Sequence, residues 1–173
     1  GTVYVTTAAG RIYALDLRTG KWRWQYERDA PDAFAIRGHS GVLITGSRAY
    51  VGFPDGYLAA LATDSGEVLW TKQLSFEATR FIDVDSTPVL VDGTLYVSCY
   101  AQGVFGLDPK DGSTRWRYDI EAAGPLAADP ENGKPQTVLD LTKPLKFECG
   151  GGCAVTTAGD YLAFTIAARY FVK

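Results

Sequence analysis

Apolar residues in this chain come in short bursts rather than along extended faces. The opening "TVYVTT" (Thr2 to Thr7) alternates, as a half-buried strand does. Further on, "STPVLVDG" reads as a strand ending in an Asp-Gly turn, "TLYVSCYA" as a second, "GVFGLD" as a third and "STRWRYDI" as a fourth. The runs are four to eight residues long, β-branched and aromatic, and punctuated by Gly and polar turn residues. No stretch carries the spacing of an amphipathic helix. The pattern predicts an all-β chain of antiparallel hairpins.

The bursts repeat. "ALDLRTGKWRW" (Ala14 to Trp24) is followed by "ALATDSGEVLW" (Ala60 to Trp70) and "GLDPKDGSTRW" (Gly106 to Trp116). Trp24, Trp70 and Trp116 are spaced by 46 residues, as are Gly20, Gly66 and Gly112, and Tyr4, Tyr50 and Tyr96. Four short strands in a period of about 40–50 residues is the signature of a β-propeller blade. A blade is a small sheet that cannot cover both of its faces alone. A Trp at one fixed place per blade can pack on the next blade and bond its backbone through the indole N–H. Trp24, Trp70 and Trp116 are therefore expected to dock the blades. Gly20, Gly66 and Gly112 are expected to supply the left-handed backbone of the turn before each.

Asp16 can accept from the N–H groups of its turn, as Asp108 can two periods later, whereas Ala62 gives the middle copy a weaker cap. Trp22 stands outside the repeat and is expected at the surface or in an interface.

The register divides the chain into blades at residues 1–27, 38–74 and 84–120, with a further blade beginning in 153–173. Residues 121–147 break the step, carry four of the eight prolines, and read as an inserted loop. The whole is expected to be one partial β-propeller domain of about 3.5 blades, too few to close a ring of four to eight. The sequence thus predicts a piece of a larger propeller, of which an eight-bladed one is an example.

Composition narrows the function classes. A net charge of −3 does not suggest a nucleic-acid binder or a polybasic membrane surface. No apolar run approaches the roughly 20 residues that span a bilayer as a helix. The chain opens on a strand, so a leader or lipid anchor is expected either to have been removed or to lie outside this piece. Of three cysteines, Cys99 lies in an apolar strand and reads as a buried thiol. Cys149 and Cys153, in "CGGGC", are close enough for a disulfide in an oxidising compartment; free thiols and a metal site are the alternatives, the last needing more ligands.

The motif Ala-x-Asp-x-x-Thr-Gly-x-x-x-Trp resembles the tryptophan-docking repeat of the pyrroloquinoline-quinone-like propellers. This class includes the quinoprotein dehydrogenases and the BamB family of outer-membrane assembly propellers. "FAIRGHS" (Phe34 to Ser40) is similar to the BamB segment Leu-x-Leu-Arg-Gly-Glu-Ser, and "DVDSTPVLVDGTLYV" (Asp83 to Val97) to its Asp-Val-Asp-Thr-Thr-Pro-Val segment. His39 in place of Glu, Phe34 and Ile36 in place of the leucines, the insert and the "CGGGC" depart from the family pattern.

The resemblance implies a non-enzymatic periplasmic scaffold, peripheral to the outer membrane and without a cofactor, whose lipid anchor lies outside this chain. It also implies a protein partner, the periplasmic transport repeats of a BamA-like subunit, contacted by Phe34, Ile36, Arg37, Asp83 and Asp85. Apolar side chains beside an Arg and two acids, in loops, suit such a contact. The same residues also suit a strut in which Arg37 pairs with an acid of the neighbouring blade.

A quinoprotein dehydrogenase fragment is the enzymatic alternative, and a generic interaction or sensor propeller the third. The enzyme needs calcium held by carboxylate and amide oxygens. The one asparagine here, Asn132, lies in the insert.

Overall fold

The computed structural model describes residues 1–28, 40–76, 82–99 and 102–119. They form eleven strands in three antiparallel sheets, with no helix among the described residues. The first sheet holds β1 (Thr2–Thr7), β2 (Arg11–Asp16) and β3 (Trp22–Glu27). The second holds β4 (Val42–Thr45), β5 (Arg48–Gly52), β6 (Tyr57–Ala62) and β7 (Val68–Gln73), in that spatial order. The third holds β8 (Val89–Val91), β9 (Thr94–Cys99), β10 (Gly103–Leu107) and β11 (Thr114–Tyr118), again in chain order. Three consecutive meanders with these registers are blades of a partial propeller. Phe34, Ile36, Arg37, Cys149, Cys153, the insert at 121–147 and the blade expected at 153–173 lie outside the described residues.

Turn chemistry sets the hairpins. Asp92 and Gly93 both adopt positive φ, 46° and 71°, the two-residue geometry that matches the twist of paired strands. Between the last two strands of the first sheet, Asp16 Oδ1 accepts from the N–H groups of Arg18 (3.1 Å) and Thr19 (2.9 Å), while Gly20 N–H donates to Asp16 O. Asp108 repeats the arrangement through Lys110 N–H and Gly112 N–H. The middle turn keeps the backbone bond from Gly66 N–H to Ala62 O, and with Ala62 at the place of Asp16 and Asp108 it has no carboxylate at the capping position.

Each outer strand carries a bulge at the same place: the pairing skips between Ala14 and Leu15, Ala60 and Leu61, and Gly106 and Leu107. The extra residues are Arg23, Leu69 and Arg115. Arg23 turns back to Asp16 (2.7 Å) and Thr2 (2.9 Å), and Arg115 to Asp108 (2.7 Å) and Thr94 (2.7 Å). In the middle blade both halves of this clamp are replaced together, by Ala62 and Leu69. Arg48, at the position of Thr2 and Thr94, reaches instead to the carbonyls of Pro109 and Lys110 in the next blade.

The bulge also accounts for Trp22. Trp24 pairs with Ala14 but Trp22 with Leu15, so the two indoles leave opposite faces of the sheet. Trp22 is 63% exposed and meets Tyr13 edge-on at 4.8 Å.

The core lies between blades. One cluster joins Ile12, Ala14 and Trp24 of the first blade to Ala49, Val51, Ala59 and Leu61 of the second. The other joins Tyr50, Leu58 and Trp70 to Leu95, Val97, Phe105 and Leu107 of the third. Trp24 Nε1–H donates to Thr63 O (3.0 Å) and Trp70 Nε1–H to Pro109 O (3.2 Å). The rings lie over the next blade's turn glycine: a methyl on Gly66 would sit 2.6 Å from Trp24 Cε3, and one on Gly112 2.7 Å from Trp70 Cε3. Glycine is thus required twice over there, by φ of 76° and 74° and by the indole above it.

Trp116 keeps the contact with its own tyrosine, Tyr96, at 5.7 Å but is 42% exposed. The described residues hold no following turn for Trp116 to cover, so the docking expected of it lies outside them. Gly20, at the other end, has nothing within 4 Å of a would-be methyl.

Candidate functional site

In an up-and-down meander the turns fall alternately at opposite ends of the sheet. The β5–β6 turn at residues 53–56 therefore shares a rim with the blade-to-blade connections that carry the sequence-selected segments. On this rim the stretch from Ile82 to Thr87 runs between the second and third blades. Val84 N–H donates to Phe53 O (3.0 Å), and Cys99 Sγ–H points to Asp83 O (3.4 Å).

Three glycines of the second blade make the room. A methyl on Gly52 would collide with the Val84 carbonyl and one on Gly41 with Thr87 Oγ1, while one on Gly56 would lie 3.1 Å from Ile82 O. The segment is a strap seated in a groove.

This seat changes the reading of the two acids. Asp83 is 1% exposed, with Val84 equally buried beside it. Asp83 is corrected from a rim residue to a buried one, because the glycine groove draws its backbone inward. Asp85 is half-buried and is the acid that meets solvent. Burial pushes the Asp85 carboxyl above the usual carboxylate range; its own backbone N–H opposes this and the neighbouring charge of Asp83 adds to it.

Phe34, Ile36 and Arg37, expected to share this rim, precede the first described residue of their segment, Ser40. Ser40 is fully buried, and its Oγ–H donates to Ser86 O (2.8 Å), one period ahead. Both serines lie within the two segments that carry the family resemblance, without a role of their own in that pattern. Their 46-residue spacing was the signal that could have found them.

Beside the strap the first blade ends on Arg28. Its guanidinium pairs with Asp55 of the neighbouring blade and lies 4.0 Å above the Tyr57 ring. Phe76, 54% exposed, marks the exit from β7 on the same rim. Among the described residues no group of three His, Cys, Asp or Glu is placed to hold a metal ion. Among them, too, no helix is long and apolar enough to cross a membrane.

Sheets docked by Trp onto a Gly turn define a propeller of the pyrroloquinoline-quinone-like class. Within that class the chain belongs to the family described as outer membrane protein assembly factor BamB, whose model matches residues 1–132. It is 28% identical to the outer membrane protein assembly factor BamB of Yersinia pestis over 167 residues, which cover 94% of this chain and 42% of that protein. It is also 32% identical over 128 residues to the quinoprotein alcohol dehydrogenase PedH of Pseudomonas putida, covering 67% of this chain and 21% of that one. The crystal structure of BamB from Moraxella catarrhalis superposes with a TM-score of 0.63 at 30% identity, over 70% of this chain and 38% of that one. The chain thus spans less than half the length of the relatives it matches.

Proposed function

We propose that this chain is part of a non-enzymatic scaffold of the outer-membrane protein assembly machinery, working in the periplasm. In this reading, the rim carrying Phe34, Ile36, Arg37 and Asp85 binds the periplasmic transport repeats of a BamA-like subunit. Asp83 serves it from beneath. The observation that carries the reading is the strap. A backbone segment bearing two acids is seated between blades by the Val84–Phe53 bond and the glycine groove, and one of those acids, Asp85, is only half-buried. Preorganised charge of this kind lowers the ordering cost of association. It steers a cationic partner, while Phe34 and Ile36 would supply apolar burial. Family membership supports the assembly role.

The test is a titration of the partner's periplasmic repeats with the parent chain, an Ile36→Ala/Arg37→Ala double variant and Asp85→Asn. Each variant is expected to bind more weakly while melting near the parent temperature. Unchanged binding in the double variant refutes the rim. Early melting of Arg37→Ala would instead identify Arg37 as a strut between blades.

The similarity to PedH favours a second reading, a dehydrogenase fragment. It predicts measurable binding of pyrroloquinoline quinone with calcium, which the scaffold reading does not.

A further inference from the structure

We infer that Ser40 and Ser86 are positioning residues for partner recognition, joined in a buried relay that fixes the acidic strap to the segment leaving Arg37. The inference rests on the functional reading above and extends it to residues that touch no partner. Ser40 and Ser86 are 0% and 1% exposed and occupy the same place in successive blades, before the first strand.

Four bonds chain them across the three sheets. Thr6 Oγ1–H in β1 donates to Ser40 O (2.8 Å), and Ser40 Oγ–H to Ser86 O (2.8 Å). Ser86 Oγ–H donates to Ser98 O in β9 (2.8 Å), and Ser98 N–H returns to Ser86 Oγ (2.9 Å). Gly41 N–H donates to Thr87 Oγ1 (3.1 Å) alongside.

The choice of residue follows from the geometry. A hydroxyl is the smallest side chain that both gives and takes a hydrogen bond. It fits where Gly41 and Gly52 already show backbones in close approach. The bond from Ser40 ends on the carbonyl of the residue directly after Asp85, so it holds the backbone beside that acid. With the Gly41–Thr87 bond it ties the start of the second blade, at Ser40 and Gly41, to the strap. Ser40 Oγ lies 2.7 Å from its own neighbour's carbonyl, Gly41 O, so its single proton is shared, and the junction is held by several modest bonds rather than one strong one.

Amide hydrogen exchange of the full chain tests the relay without the partner. Ser40→Ala should speed exchange across residues 83–87 by roughly fivefold, the effect of losing one net hydrogen bond, while β6 and β10 exchange as before. Ser86→Ala should do the same, and Ser86→Thr, which keeps the hydroxyl, should restore parent rates. Thr87→Val removes the parallel strut at an exposed position and should give a smaller effect if the buried variants fold poorly. In the titration, Ser40→Ala and Ser86→Ala should lose affinity by about the same factor as their exchange gain, with Ser86→Thr rescued. Parent-like exchange across 83–87 in Ser40→Ala, or no rescue by Ser86→Thr, overturns the relay. If the parent chain itself does not bind the repeats, the functional reading falls, and the exchange rates still decide whether the two serines position the strap.

Discussion

A single indole shows how much depends on what lies above it. Trp70 is 9% exposed and gives its N–H to Pro109 O, whereas Trp116, with the same tyrosine contact, is 42% exposed. Trp70→Ala should therefore cost about 3–5 kcal/mol, the range for emptying a large aromatic site. Trp116→Ala in the same chain should cost clearly less. Denaturant midpoints of the two variants at equal m-value give the comparison, and equal losses would contradict the interblade account.

Asp85 makes the opposite case at the same scale. Its folded pKa is raised by burial, so its favourable contribution to stability is present at low pH and is lost as pH rises through the folded value. At neutral pH the charged carboxylate is a cost to folding. Asp85→Asn should therefore be as stable as the parent or more so at pH 7, with the difference gone once the carboxyl is protonated in both folded and unfolded chains, below about pH 3. Asp16, Asp108 and Asp111 run the other way. Arg23, Arg115 and the Ser113 N–H respectively hold them low, so their support is present above the ordinary carboxylate pKa and fades as acid protonates them.

Among elements, the turn before each outer strand is the joint of the fold. Gly20, Gly66 and Gly112 share a positive φ, yet only the last two lie beneath a tryptophan. Alanine at Gly20 should cost only the strain of a left-handed residue, about 1–2 kcal/mol. At Gly66 or Gly112 it must also displace an indole, so those variants should lose more and should perturb the fluorescence of Trp24 or Trp70. A Gly66→Ala variant no worse than Gly20→Ala would show that the ring moves aside freely. The clamp of Arg23 on Asp16 and of Arg115 on Asp108 belongs to the same joint. In the middle blade, where both halves of the clamp are lost, Arg48 reaches forward instead, so a bond within one blade gives way to one that ties two blades.

For the whole molecule, the strap between the second and third blades is where fold and proposed function meet. If Asp85 steers a partner by charge, association should slow as ionic strength rises while dissociation changes little, because exposed charges are screened over about 10 Å at 0.1 M salt. Asp85→Asn should flatten that dependence. Rapid-mixing kinetics at several salt concentrations measure both, and a parent association rate indifferent to salt would remove steering from the account.

The sequence by itself determined the strands, their four-per-period grouping and the turn glycines. These rest on local signals: alternation over a few residues, Asp-Gly turns, and a repeat visible by counting. The docking role of the tryptophans also follows from the repeat, since a blade cannot bury its faces alone. Only the tertiary structure decided which turn each indole covers, because the Trp24–Gly66 and Trp70–Gly112 contacts join residues with no pattern in common but their period. It alone put Trp22 on the far face, through a bulge that shifts one pairing and leaves no mark in composition. It also buried Asp83. An acid in a loop-like segment reads as exposed until the glycines opposite it are seen to leave a groove for its backbone. The room that Gly41, Gly52 and Gly56 provide belongs to a neighbouring blade, and neither side chain nor spacing at Asp83 announces it.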